Sequence, residues 1–120
     1  MEKFGLQGEL MNNTECDAFI HMLSEHTNQE FVPELFEDTY QIETDAVTLD
    51  FVITDGIFEI RNIEAHEPRF GGRVLEAIHE FAEETDRMVT ASNVKETAES
   101  FWREKGYTES EQGGEFFLAA

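Results

Sequence analysis

Residues 46–65, AVTLDFVITDGIFEIRNIEA, constrain the fold more than any other stretch of the chain. Val47, Leu49, Phe51 and Ile53 recur at every second residue, the period that puts apolar side chains on one face of a strand. Asp55-Gly56 follows, and an Asp-Gly pair supplies the positive backbone angles of a tight hairpin turn. Ile57 to Ile63 continue as the partner strand. An isolated hairpin is marginal in water, so its apolar face needs a cover. The next stretch, EPRFGGRVLEAIHEFAEE (67–84), offers one. Val74, Leu75, Ile78, Phe81 and Ala82 share one helical face, and Glu76, Glu80, Glu83 and Glu84 lie away from it.

The remaining elements are read around this unit. KFGLQGELM (3–11) is expected as a short strand. NNTECDAFIHMLSEHTN (12–28) reads as a helix, capped by Asn13 or Thr14, with Phe19, Ile20, Met22 and Leu23 on its apolar stripe. PELFEDTY (33–40) is expected to form one further helical turn. RMVTAS (87–92) reads as a strand and NVKETAESFWREKGY (93–107) as a second helix. Asn93 is its expected N-cap, Glu96 holds the capping-box position, and Gly106 is its stop. GGEFFLAA (113–120) is the last strand. A hairpin implies antiparallel pairing and a strand–helix–strand connection implies parallel pairing. The expectation is therefore one α/β domain over residues 1–120, with a mixed, mostly antiparallel sheet and helices on both faces.

Charge narrows the function. The chain holds 27 Asp+Glu against 8 Lys+Arg, a net charge of −19. Residues 1–60 carry 14 acids and one cation, Lys3, whereas residues 61–120 carry 13 acids and 7 cations. Such a surface repels phosphate backbones and anionic membranes, so neither nucleic acid nor membrane is an expected partner. It would attract a cationic substrate, yet acids spread along a whole chain also match the hydrated, halophilic surface of a protein working in concentrated salt. Cys16 is the single cysteine, which rules out an intramolecular disulfide, and no metal-binding spacing appears. Met1 to Leu10 lack the apolar segment of a signal peptide, and no run approaches membrane-spanning length, so a cytoplasmic location is expected.

In a chain this poor in cations, the start of the 70–84 helix carries Arg69 and Arg73 around Gly71-Gly72. Backbone N–H groups at a helix start are unsatisfied, and with the helix dipole they favour an anion. Glycines let a ligand approach that backbone, and two arginines add charged, multi-donor contacts. The loop thus has the chemistry of a pyrophosphate site. The competing reading is a plain turn flanked by solvated arginines.

The same loop after a strand, followed by TASNVKETAESFWREKGY (90–107), resembles the GNAT acetyltransferase superfamily. That family opens a helix with an Arg/Gln-x-x-Gly-x-Gly/Ala loop. It later has a strand, an Asn, and a helix ending in Ala-x-x-aromatic-aromatic-x-x-x-Gly-aromatic. Ala98, Phe101, Trp102, Gly106 and Tyr107 match this ending, and the resemblance covers about residues 45–120. It implies an acyl-CoA site. The strand around Ile63 to Ala65 would splay from its neighbour and offer N–H groups to the thioester carbonyl. Arg69, Phe70, Gly71, Gly72 and Arg73 would hold the pyrophosphate, Asn93 would touch the CoA arm, and Trp102 would lie beside it. Glu64 and His66 are candidate bases for the attacking amine, and each also fits a solvated surface residue.

Two departures from the family pattern stand out. Counting from Arg69 puts Gly72 at the first family glycine and Val74 where Gly or Ala belongs. Counting back from the helix puts Gly71 at the second glycine and Arg69 at the first. And Trp102 replaces a Tyr that protonates the leaving thiolate in many members; an indole N–H donates a hydrogen bond but no proton. The implied activity is N-acyl transfer from acetyl-CoA to a primary amine of a small molecule or peptide, in a chain that has room to form a homodimer. The competing expectation is a non-catalytic acyl-CoA-binding or protein-interaction module on the same fold.

Overall fold

The computed structural model describes residues 3–111 and 113–118, with side-chain surroundings from Thr14 onward. The described elements are α1 (Lys3–Thr27), β1 (Glu34–Phe36), β2 (Thr39–Glu43), β3 (Val47–Thr54), β4 (Ile57–Ala65), α2 (Phe70–Thr85), β5 (Met88–Ala91), a 3-10 turn (Glu96–Ala98), α3 (Glu99–Glu104), β6 (Thr108–Glu109) and β7 (Phe116–Leu118). They build one seven-stranded sheet in the order β1-β2-β3-β4-β5-β7-β6. Only the β4–β5 pair is parallel; the others are antiparallel. The mixed, mostly antiparallel sheet expected above is therefore present.

The hairpin forms at Asp55-Gly56, with Gly56 at φ 80°. β3 and β4 pair from Val47↔Ala65 to Thr54↔Ile57, with a shift between Asp50 and Phe51. Phe51 faces Ile60 and Asp50 faces Asn62, so Arg61 is the extra residue of a bulge in β4. The apolar face of the hairpin meets both long helices at Phe19. Its ring lies edge-on to Phe51 at 5.0 Å, Phe58 at 4.9 Å and Phe81 at 5.6 Å. Arg87 ties this core together from within. Its Nε donates to Thr54 O at 2.8 Å, its Nη2 pairs with Glu15, and its guanidinium lies 5.6 Å from the Phe81 ring. Cys16 is buried here, and burial, helped by Asp17, pushes its thiol up to about 12.

Four expectations are corrected. Residues 3–11 extend α1 and form no strand. Once a helix is nucleated, each added residue costs little, whereas a strand needs an edge to pair with. Residues 34–36 form β1, not a helical turn, because Glu34 to Phe36 pair with Gln41 to Thr39 across a two-residue turn in which Glu37 takes φ 59°. The helix expected from Asn93 starts later. Asn93 sits at φ 57°, Lys95 is extended, and the 3-10 turn and α3 begin without a side-chain cap. Lastly, the helices share one face. Phe116 is in register with Ala91, which is in register with Ile60, on the face that α1 and α2 cover. Arg103 of α3 lies over the Phe116 ring at 5.5 Å, and Tyr107 bonds His79 of α2. Two successive right-handed crossovers in one direction put both helices on one side. The opposite face carries Gln41, Asp50, Glu59, Arg61 and Thr90.

Candidate functional site

β4 and β5 pair only from Ile57↔Met88 to Ile60↔Ala91. The Ser92 N–H donates to Ile60 O at 3.0 Å, and beyond this rung the strands part. β4 runs on to Ala65 paired with β3 alone. The opening is a cleft of about 130 Å³ lined on one side by Ile60 to Glu64 and on the other by Ala91 to Lys95, with Ala98 and Trp102 between them. The bulge at Arg61 accounts for the divergence, since an extra residue turns β4 away from the line of β5.

α2 starts at the end of the same strand. A Cβ on Gly71 would lie 3.4 Å from the Ala65 Cβ, whereas one on Gly72 would meet nothing within 4 Å. Neither glycine has a positive φ, so close approach at Gly71 and open space at Gly72 explain the pair. Phe70 N–H donates to Glu67 O at 3.2 Å and Arg73 N–H to Arg69 O at 3.4 Å. The N–H groups of Gly71 and Gly72 between them are the free donors of the helix start among the described residues. Phe70 itself is 4 % exposed and packs in the core, and its N–H is already bonded to Glu67 O, so it supplies no donor to a ligand.

The cations sort themselves around this opening. Arg61, Arg87 and Arg103 pair with carboxylates, and Lys105 lies 5.7 Å from the Phe101 ring. Among the described residues, Arg69, Arg73 and Lys95 have no acidic partner. Arg69 and Arg73 flank the α2 start, and Lys95 lines the cleft. In a chain of net charge −19, two cations without a carboxylate partner at the α2 start and a third in the cleft are local points of anion attraction.

Of the residues singled out in the sequence, Ile63, Glu64, Asn93 and Trp102 line the cleft together. Ala65 lies outside that lining, at the end of β4 against Gly71 of the α2 start. His66 lies just past β4, held by its N–H to Ala46 O at 2.7 Å and by its Nε2 3.1 Å from Thr48 Oγ1. Trp102 is 3 % exposed, edge-on to Tyr107 at 4.9 Å, and no hydrogen bond from its Nε1 is found among the described residues. Tyr107 is no substitute acid. Burial holds its hydroxyl above the usual tyrosine range, and it is bonded to His79.

One residue was missed. Asp50 faces Asn62 across the β3–β4 pair on the open face of the sheet, and its carboxyl is raised by burial, then by Glu43 and Glu64. Its place in the alternation, polar between Leu49 and Phe51, was the available signal. No group of three or more His, Cys, Asp or Glu among the described residues could hold a metal ion. No helix among them is long and apolar enough to cross a membrane.

No known family profile matches the chain, and no curated protein does. Among solved structures, the chain is similar to the crystal structure of the anti-CRISPR protein AcrVA5. The TM-score is 0.58 at 12 % identity, over 68 % of this chain and 98 % of that one. At this identity the likeness speaks to fold. The class the architecture defines is a mixed α/β domain built on a mostly antiparallel seven-stranded sheet, a fold it shares with that structure.

Proposed function

We propose that the cleft takes the pantetheine arm of acetyl-CoA and that the chain transfers the acetyl group to a primary amine. One observation carries this reading: β4 and β5 part beside a helix start that gathers free N–H groups and the unpaired Arg69 and Arg73. A slot of about 130 Å³ suits a thin arm and leaves the diphosphate outside, at Gly71, Gly72 and the two arginines. Arg61 to Ala65 lack a strand partner on the cleft side, so backbone there is available to polarise a carbonyl. The attacking amine must lose a proton, and Glu64, His66 or Asp50 takes it. Asp50 has the geometry of the acceptor side, opposite the helices, and the raised carboxyl of a better base. The departing thiolate, with a thiol pKa near 8.5, is a tolerable leaving group that water can protonate. The acids of the open face favour a cationic amine, and we read the rest of the acidic surface as halophilic hydration in a cytoplasmic protein.

Trp102 favours a second reading, an acyl-CoA binder without turnover. It stands in the cleft with no proton to give. Calorimetry with acetyl-CoA, together with thiol release over a panel of amines in molar KCl, separates the two. Binding with release supports the transferase. Binding without release supports the binder, and absence of binding sinks both.

A further inference from the structure

The last rung between β4 and β5 is a single backbone bond, Ser92 N–H to Ile60 O, at the vertex of the cleft. A terminal rung of a four-residue pairing frays unless something pins it. On the open face of the sheet, one side chain does. Glu59 Oε2 accepts from Ser92 Oγ at 3.1 Å and from Arg61 Nε at 3.2 Å. One carboxylate oxygen therefore joins the end of β5 to the bulge residue of β4, on either side of the point where the strands part. Arg61 is itself anchored, through Nη1 to Thr39 Oγ1 at 2.8 Å and to Asp38 Oδ1 at 3.3 Å. Glu59 thus ties Ser92 directly to the β4 bulge, and the contacts of Arg61 with β2 and its turn, shared between Thr39 and Asp38, lie outside that joint.

We propose that Glu59 is a positioning residue that sets the width of the cleft by clamping Ser92 to the β4 bulge. The proposal rests on the reading of the cleft as an acyl-CoA slot. Its geometric part, that the clamp holds the vertex closed, is independent of any ligand. A hydrogen bond to a charged acceptor is stronger than one between neutral groups, so a carboxylate at this joint holds better than an amide would. The clamp lies on the face opposite the helices, so it sets the mouth without occupying the slot. A ligand arm threaded between the strands would feel it as the spacing of its two walls.

The test uses the full chain and four substitutions. Glu59→Gln removes the charge, Ser92→Ala removes only the β5 side of the clamp, and Ser92→Thr keeps the hydroxyl. Thr39→Val cuts the far anchor of Arg61 and leaves Glu59 and Ser92 untouched. Two readouts are taken: amide hydrogen exchange at Ser92 without ligand, and the Kd for acetyl-CoA. Exchange at Ser92 is expected to quicken at least tenfold in Glu59→Gln and Ser92→Ala, and to stay within about twofold of wild type in Ser92→Thr and Thr39→Val. The Kd is expected to rise about tenfold in the first two variants and to be restored in Ser92→Thr. Unchanged exchange in Glu59→Gln overturns the clamp. An equal loss of affinity in Thr39→Val overturns it too, since the effect would then be a general loosening of the sheet. If the wild-type chain does not bind acetyl-CoA, the proposed function fails, and the exchange data still decide whether Glu59 holds the vertex.

Discussion

His79 Nε2 lies 2.7 Å from the Tyr107 hydroxyl, with the two rings 5.6 Å apart and tilted by 36°. This contact joins the middle of α2 to the short connection between α3 and β6. Burial, then Lys105, hold His79 below its ordinary 6.5, with Glu76 opposing. The folded state therefore resists protonating it. As pH falls below 6.5 the unfolded chain takes up a proton that the folded chain refuses, and stability is lost until the folded pKa is passed. Comparing the melting temperature of wild type with His79→Gln from pH 7.5 to pH 5 isolates this effect from the general relief of acidic repulsion. We expect the wild type to lose stability relative to the variant on acidification. Parallel curves would remove His79 from the account.

Arg69 begins α2 in the left-handed region, at φ 67°, without a side-chain cap. A non-glycine residue there costs roughly 1–2 kcal/mol, part of which glycine gives back through its freedom in the unfolded chain. Arg69→Gly should leave the melting temperature unchanged or slightly raised while weakening acetyl-CoA binding about tenfold. The double change Arg69→Ala with Arg73→Ala should weaken it further. Calorimetry showing unchanged affinity in both would end the assignment of the diphosphate to this helix start.

Asp50 offers a trade between stability and activity. Its carboxyl is raised by burial, Glu43 and Glu64, so at neutral pH the folded chain bears an ionised group it disfavours. Folded pKa above unfolded pKa means stability that is present at low pH and lost as pH rises. Asp50→Asn should therefore melt higher than wild type at pH 7, with the gap closing below pH 4. If Asp50 is the base, turnover should fall on the order of 10²–10⁴-fold with acetyl-CoA affinity intact. Full turnover in Asp50→Asn would return the role to Glu64 or His66.

Trp102 fills the cleft wall against Tyr107 and Phe101. Trp102→Tyr keeps an aromatic ring and restores a group able to give a proton. In a transferase limited by thiolate departure, turnover should rise; in a pure binder it should stay at background with little change in affinity. Trp102→Phe should keep activity if the residue only packs. Loss of activity there, with binding intact, would show that the indole N–H acts directly.

Salt should govern folding. The Debye length falls from roughly 30 Å at 0.01 M to about 3 Å at 1 M, and a net charge of −19 repels itself least where screening is strongest. The melting temperature should climb steeply with KCl over this range. A curve indifferent to salt would count against the halophilic reading and shift the acids toward substrate attraction.

What the sequence determined by itself was local. The Asp55-Gly56 turn, the alternation of Val47, Leu49 and Phe51, and the stripe from Val74 to Ala82 are each set by periods of two or 3.6 residues, and each element formed where it was read. The Gly71-Gly72 helix start was legible for the same reason, since its free N–H groups are a property of any helix start. Tertiary structure decided the rest. Residues 34–36 became a strand because β2 offered an edge, and residues 3–11 stayed helical because α1 was already nucleated. The bulge at Arg61, the parting of β4 from β5 and the clamp from Glu59 to Ser92 depend on residues up to 33 positions apart meeting across strands. No spacing along the chain encodes such a meeting. It arises when burial of one apolar face brings the strands into register, and only then do the polar residues of the opposite face find their partners.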